Sequence, residues 1–209
     1  DEKKQKKFLY RISKYIRDRI EFAVYSAYWG ISFVNDPDIL INPNTEININ
    51  DETWEIFSSP GHSIEHIILY NRAKGILFSG DNVLKSINVW LGPPKSDLDQ
   101  YVNSIKKISG LPGLKIILPA HGGLVLNPYE RLNEIVKWRK KRTDDVTEIL
   151  ENSQPGGLSI REILEILYPA ETGIKKNFAS GWVKLTLEKL VREKKIKCDK
   201  KRYFYSGSY

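Results

Sequence analysis

The chain has 209 residues, of which 41% are hydrophobic and 11% aromatic, and its formal net charge is +7. This composition provides the apolar side chains for a hydrophobic core and excludes a globally disordered protein. No apolar run reaches the roughly 20 residues that span a bilayer, and the first residues lack the apolar stretch of a signal peptide. Cys198 is the only cysteine, which excludes an intrachain disulfide. These features predict a cytoplasmic protein without a membrane partner.

Residues 1–150 predict an α/β domain in which helices follow short apolar strands. An amphipathic helix is predicted over 8–23, and a loop-rich segment with short extended pieces over 24–50. The apolar pattern and the glycine and proline turns predict the remaining elements: strands over 53–59, 66–70 and 76–80, a helix over 97–108 capped by Asp97, a short strand within 114–123, and a long helix over 128–151.

The linker "NSQPGG" at 152–157 predicts a boundary, followed by a smaller domain over 151–209. Ser159 and Glu162 have the spacing of a capping box at the start of a helix. A second helix is predicted over 174–193, and "KKIKCDKKRYFYS" predicts a β-hairpin. The order helix, helix, hairpin is typical of a winged helix, and from Leu150 onward 12 Lys and Arg residues stand against 7 Asp and Glu residues.

Three polar residues, His62, Asp81 and His121, share one setting, because each lies directly next to a glycine, just beyond a predicted apolar strand. In a sheet-based fold, loops at strand ends gather at one edge, where functional sites are commonly built. Two imidazoles and a carboxylate suit zinc, iron or manganese. The same residue types also take part in ordinary turn hydrogen bonding, so the spacing alone leaves a metal site and a structural role open.

A longer pattern resembles a known family. The stretch "PGHSIEHIILYNRAKGILFSGD" followed by "LPAHGG" resembles the metallo-β-lactamase superfamily, in which a Gly-His turn, a hairpin, a Gly-Asp and a final His before glycine occur in this order. The closer resemblance is to its lactamase-beta-like hydrolase and endoribonuclease branch, although Trp138 stands where those proteins often have His. The resemblance covers nearly the whole chain and implies an α/β fold, the αββα sandwich, followed by a winged-helix domain.

The resemblance also implies roles for these residues in a two-zinc hydrolase. His62 would complete the site of the first zinc, His121 would bind the second, and Asp81 would bridge both metals as the catalytic carboxylate. A water activated between two ions about 3.5–4 Å apart would be the nucleophile. His66 would support the site through a hydrogen bond, or pack as an ordinary histidine at a strand edge.

One part of the family pattern is absent. The superfamily's first motif, His-x-His-x-Asp-His, supplies ligands to both metals, but this chain has three histidines and none before residue 62. His62, Asp81 and His121 alone would hold at most one loosely bound ion. The chain also contains no methionine. We therefore expect a fragment of a longer, N-terminally complete enzyme, with a split gene or a degenerate, non-catalytic relative as the alternatives.

The basic residues of the second domain predict a nucleic-acid surface, with single-stranded RNA as the partner. Phosphate contacts by a helix and a hairpin tip fit their placement, although they also fit a solvated face. The candidate residues are Lys175, Lys176, Lys184, Lys189, Arg192, Lys200, Lys201 and Arg202.

Three functions follow from these features. The first is zinc-dependent cleavage of RNA phosphodiesters. The second is thioester hydrolysis of the glyoxalase-II type, which shares the same ligands, and the third is nucleic-acid binding without catalysis. A homodimer is compatible with all three.

Overall fold

The structure, a computed structural model, describes residues 40–171 and 173–207. The chain divides into two units, Asp1–Ile41 and Asn42–Tyr209, and the description below concerns the second. The amphipathic helix predicted over 8–23 lies outside the described residues.

A five-stranded sheet forms the first half of this unit. Its strands are β1 (Thr45–Ile49), β2 (Glu52–Ser58), β3 (Ile67–Asn71), β4 (Ile76–Gly80) and β5 (Ile116–Pro119), and they lie side by side in this order. Strands β1 to β4 form an antiparallel meander, whereas β5 pairs with β4 in parallel. The parallel pairing requires a crossover, and helix α1 (Leu98–Ser109) lies within it.

One face of the sheet packs against helices. Tyr70 of β3 and Leu77 of β4 are fully buried, and they share a core with Tyr101 and Ile105 of α1. The long helix α2 (Pro128–Glu151) adds Leu132 and Ile135 to the same core. The strands follow the period-2 pattern of a sheet, so that the side chains on this face alternate with those on the other.

The second half consists of helices and a hairpin. Helix α3 (Ile160–Leu167) begins at the predicted capping box, because the Ser159 and Glu162 side chains each bond the other's backbone amide. Helix α4 (Ile174–Arg192) follows, and β6 (Ile196–Asp199) pairs with β7 (Arg202–Tyr205). A second core joins these elements to the C-terminal half of α2, through buried residues that include Val146, Leu150, Ile163, Trp182 and Leu187.

The predicted elements agree with the structure to within about two residues at most boundaries, and Asp97 caps α1 by accepting from the Gln100 amide. Within the segment predicted over 24–50 as loop with short extended pieces, β1 is one such extended piece, and the residues before 40 lie outside the described part of the chain. No helix among residues 40–171 and 173–207 is long and apolar enough to cross a membrane. The domain boundary after residue 150 stays a prediction.

Candidate functional site

Four candidate residues lie at one edge of the sheet. β2 and β4 run in the same direction, because each is antiparallel to β3, and β5 is parallel to β4. The C-terminal ends of these three strands therefore meet at the same edge. His62, Asp81 and His121 follow β2, β4 and β5 respectively, and His66 immediately precedes β3. The topology thus brings together residues that lie up to 59 positions apart in the sequence.

The Asp81 carboxylate lies between two imidazoles. Its Oδ2 is 3.8 Å from Nε2 of His62, and its Oδ1 is 3.5 Å from Nε2 of His121. Both distances exceed those of ordinary hydrogen bonds. They are close to the separation of about 3.4 Å between two ligand atoms that share a tetrahedral zinc ion with bonds near 2.1 Å.

The ring of His62 is oriented by the backbone. Its Nδ1 lies 3.0 Å from the carbonyl oxygen of Trp90, which can only accept a hydrogen bond. Nδ1 therefore donates this hydrogen bond, and the ring is held with Nε2 facing Asp81. A backbone carbonyl that orients the ring in this way is typical of histidines that ligate metals.

The loop that carries His62 is held against the start of α1. The Asp97 amide donates to the Gly61 carbonyl at 2.8 Å, and the Ser96 hydroxyl donates to the His62 carbonyl at 2.7 Å. Gly61 has φ +135°, and a Cβ there would lie 2.2 Å from Cα of Tyr101. Only glycine permits this approach of loop and helix.

His66 supports Asp81 from the side. Its Nε2 accepts a hydrogen bond from the Asp81 amide at 3.3 Å, and its ring lies so close to Gly80 that a Cβ at that position would be 2.7 Å from Nε2. Burial, followed by the charge of His62, lowers the pKa of His66, and the Asp81 carboxylate opposes this shift. A neutral ring agrees with the acceptor role of Nε2. His66 thus bonds the backbone of Asp81, while its role in supporting a metal ligand stays a prediction.

Asn82 connects the two loops of the site. It is fully buried, and its Nδ2 donates to both the carbonyl and the hydroxyl of Ser59. The hydroxyl of Tyr101 in turn donates to the Asn82 carbonyl at 2.9 Å. Because Ser59 precedes His62 and Asn82 follows Asp81, this network fixes the distance between the two candidate ligands.

The donor set fits a metal, but the described residues do not complete a site. Oδ1 of Asp81 is buried and has no hydrogen-bond partner within the described part of the chain, as expected for a ligand atom. Each carboxylate oxygen of Asp81 faces one imidazole nitrogen, so two possible ligand atoms lie on the His62 side and two on the His121 side. A zinc site takes three or four protein ligands. Among residues 40–171 and 173–207, no group of three or more His, Cys, Asp or Glu side chains is arranged to hold an ion by itself.

The predicted nucleic-acid residues fall into two groups. Three of them form intramolecular pairs: Lys189 and Arg192 both bond to Asp99 of α1, and Arg202 bonds to Glu162. Lys184, Lys200 and Lys201 are exposed and Lys176 is half-buried, while the side chain of Lys175 lies outside the described residues. The structure therefore leaves fewer cations for a partner than the sequence suggested.

Some residues that hold the site carried no recognisable signal in the sequence. Trp90, Ser96 and Asn82 lie on loops without a motif, and each acts through a contact with the His62 loop more than 20 residues away. Only Asn82 has a local signal in the sequence, because it directly follows the candidate ligand Asp81.

The family profile of the metallo-beta-lactamase superfamily matches residues 3–121 of the chain. The lactamase-like protein aptB of Emericella nidulans is 29% identical over 156 residues, which cover 71% of this chain and 48% of that protein. The atrochrysone carboxyl ACP thioesterase of Aspergillus fumigatus is 26% identical over 161 residues, 71% of this chain and 49% of that enzyme. The chain thus spans about half the length of the curated relatives it matches.

A solved structure shows the same fold. The beta-lactamase domain protein from Burkholderia ambifaria superimposes with a TM-score of 0.72 at 24% identity, over 83% of this chain and 54% of that one. Because the match covers 83% of the chain, it extends beyond the five-stranded sheet.

Proposed function

Because the chain belongs to the metallo-beta-lactamase superfamily, we propose that the protein is a metal-dependent hydrolase whose site includes His62, Asp81 and His121. The observation that carries the proposal is the position of the Asp81 carboxylate, with one oxygen toward each imidazole. The remaining ligands would come from residues beyond those described. Zinc is the metal that we propose, since imidazole and carboxylate groups are among its usual ligands.

A bound metal ion supplies a Lewis acid that polarises the scissile bond and activates water at neutral pH. The described residues prepare the site for it. The Trp90 carbonyl holds His62 so that Nε2 faces inward, and His66 fixes the backbone of Asp81. His121 is largely exposed, so this side of the site is open to a substrate.

An acyl thioester is the substrate class that we favour. The thioesterase relative supports this choice, and so does the loss of three predicted RNA contacts to intramolecular pairs. The sequence alone favoured RNA as the substrate, whereas the contacts of the folded chain favour a thioester.

RNA cleavage is kept as a second candidate because of the C-terminal part. We propose that α3, α4 and the β6–β7 hairpin form a winged helix, in which Leu158 pairs with Tyr203 beside the hairpin. Lys200 and Lys201 are exposed at the hairpin tip, where they could contact phosphates. A cytoplasmic location and a homodimer stay predictions from the sequence.

The test compares two substrates on one set of variants. Hydrolysis of an acyl thioester and of single-stranded RNA would be measured with the longest natural form of the protein, together with its zinc content. Asp81→Ala is expected to remove activity and bound zinc, whereas the exposed carboxylate variant Asp144→Ala serves as the matched control. Unchanged hydrolysis in Asp81→Ala would overturn the assignment of the site. Salt-dependent RNA binding by a protein without stoichiometric zinc would favour the non-catalytic alternative.

A further inference from the structure

A cavity lies beside the His62 loop. It has a volume of about 260 Å³ and is formed by the loop 88–91, helix α2 and helix α4. Its walls are largely aromatic and comprise Trp90, Trp138, Phe178 and Trp182. The backbone carbonyl of Trp90 holds His62, so the cavity and the candidate metal site share this residue.

Two close contacts join the walls of this cavity. The indole Nε1 of Trp90 donates to the Phe178 carbonyl at 3.2 Å. Gly181 lets α4 approach the loop, because a Cβ there would lie 2.7 Å from the carbonyl oxygen of Leu91. These contacts, one a hydrogen bond and the other a close backbone approach, hold α4 beside the loop, so the cavity is built into the fold.

A buried cation, Arg139, lines the same cavity. The residue is only 3% exposed, and its Nη2 donates to the Val89 carbonyl at 2.6 Å. No ion pair between described residues includes Arg139, and its Nε has no acceptor among them. The rings of Tyr101 and Trp138 lie 5.1 and 4.7 Å from the guanidinium carbon. These rings stabilise the charge in part, but buried charges in proteins are normally paired with an opposite charge.

We propose that this cavity binds an aromatic anion, a one- or two-ring group that bears a carboxylate or a phosphate. The Trp and Phe walls would contact the ring, and the Arg139 guanidinium would supply the charge that the anion requires. The volume lies just below the roughly 300 Å³ at which pockets for larger ligands begin, which suits a small ring system. The inference concerns binding and does not rest on the proposed hydrolysis.

The test is direct binding to the 209-residue chain, measured by isothermal titration calorimetry. The probes are 2-naphthoate and 2-naphthyl phosphate, with neutral naphthalene-2-carboxamide as the reference. We expect at least one anion to bind about tenfold or more tightly than the amide. The two anions distinguish a carboxylate ligand from a phosphate ligand. Failure of both anions to bind, or equal binding of the amide, would overturn the proposal.

Two variants locate the binding in this cavity. Arg139→Met removes the charge and should weaken anion binding at least tenfold, with the exposed Arg161→Met as control. Ala179 lines the cavity and is nearly buried, so Ala179→Leu fills it while Arg139 is retained, and the exposed Ala73→Leu is its control. If Arg139→Met fails to fold, the Ala179→Leu variant alone tests whether the anion binds in this cavity. Anion binding that Ala179→Leu leaves unchanged would show that the probe binds elsewhere and would overturn the proposal.

Discussion

Asp99 of α1 and Arg192 of α4 form an ion pair between distant parts of the chain, with 2.7 Å between Oδ2 and Nη2. Lys189, one turn earlier on α4, contacts the other oxygen of the same carboxylate at 2.5 Å. Burial raises the pKa of Asp99, but the hydrogen bonds from Lys189 and Arg192 outweigh this effect and lower it overall. A single carboxylate thus connects the sheet-packed helix α1 to the C-terminal helix α4.

Replacement of Asp99 by Asn should destabilise the protein at neutral pH and remove part of its sensitivity to acid. Because the pKa is lowered in the folded state, the stabilisation is present above the ordinary pKa near 3.8 and is lost as the pH falls through the folded value. Partly exposed pairs contribute about 0.2–1 kcal/mol each, so we expect a loss of about 1 kcal/mol in urea unfolding at pH 7. The difference between Asp99→Asn and the wild type should shrink toward pH 3. An equal difference at both pH values would contradict the ion-pair explanation.

Gly61 should be irreplaceable in the His62 loop. The variant Gly61→Ala places a Cβ against the backbone of Tyr101. It also forces an alanine to adopt φ +135°, a backbone conformation that favours glycine. We expect a loss of about 2 kcal/mol or more in the free energy of unfolding, measured by chemical denaturation. Gly156→Ala is the matched control, because a Cβ there meets nothing within 4 Å and φ lies outside the positive region. Equal stability of the two variants would show that the loop can move away from α1.

The capping box of α3 should titrate at low pH. Hydrogen bonds from the side chain and backbone of Ser159, and then from Arg202, lower the pKa of Glu162 to about 2. The contribution of this carboxylate is therefore complete above pH 4.5 and is lost as the pH falls toward 2. Following the Glu162 carboxyl carbon by NMR should give a titration midpoint well below the ordinary glutamate value of 4.5. A midpoint at that ordinary value would contradict the capping box in solution.

The gathering of His62, Asp81 and His121 at one edge of the sheet could be predicted from the sequence, because its signals are local. Each of His62, Asp81 and His121 follows an apolar strand and lies within one residue of a glycine, and parallel strand directions then bring them to one edge. The boundaries of α2 and the Ser159 cap also depend on neighbouring residues alone, which explains why they were predicted correctly.

Other features depend on contacts between distant residues, which a single sequence does not encode visibly. Arg139 reads as one basic residue in the run "WRKKR", yet it is the one buried beneath the loop 88–91. In the same way, Lys189 and Arg192 read as free cations, because Asp99 lies 90 and 93 positions away. Ion pairs between such distant residues determine which charged side chains remain available to a partner, and only the folded structure shows these pairs.

Metal removal tests the site independently of any substrate. If zinc binds at Asp81, a chelator should lower the melting temperature, because a ligand that binds only the folded state stabilises it by mass action. With the ligand at 100 times its Kd, this stabilisation is about 2.7 kcal/mol. Asp81→Asn should abolish the response to chelator and zinc, since the amide is a poor substitute for the carboxylate.

The control for this prediction is Asp144→Asn, which changes an exposed carboxylate on α2 that pairs with Lys140. It should keep the full response to zinc. His66→Ala provides a finer comparison, because it removes the acceptor of the Asp81 amide while Asp81 itself is kept. We expect this variant to bind zinc about 10–100-fold more weakly than the wild type, the usual effect of altering a group that orients a ligand. A chelator response that is the same in Asp81→Asn as in Asp144→Asn would show that the metal, if bound, lies elsewhere in the protein.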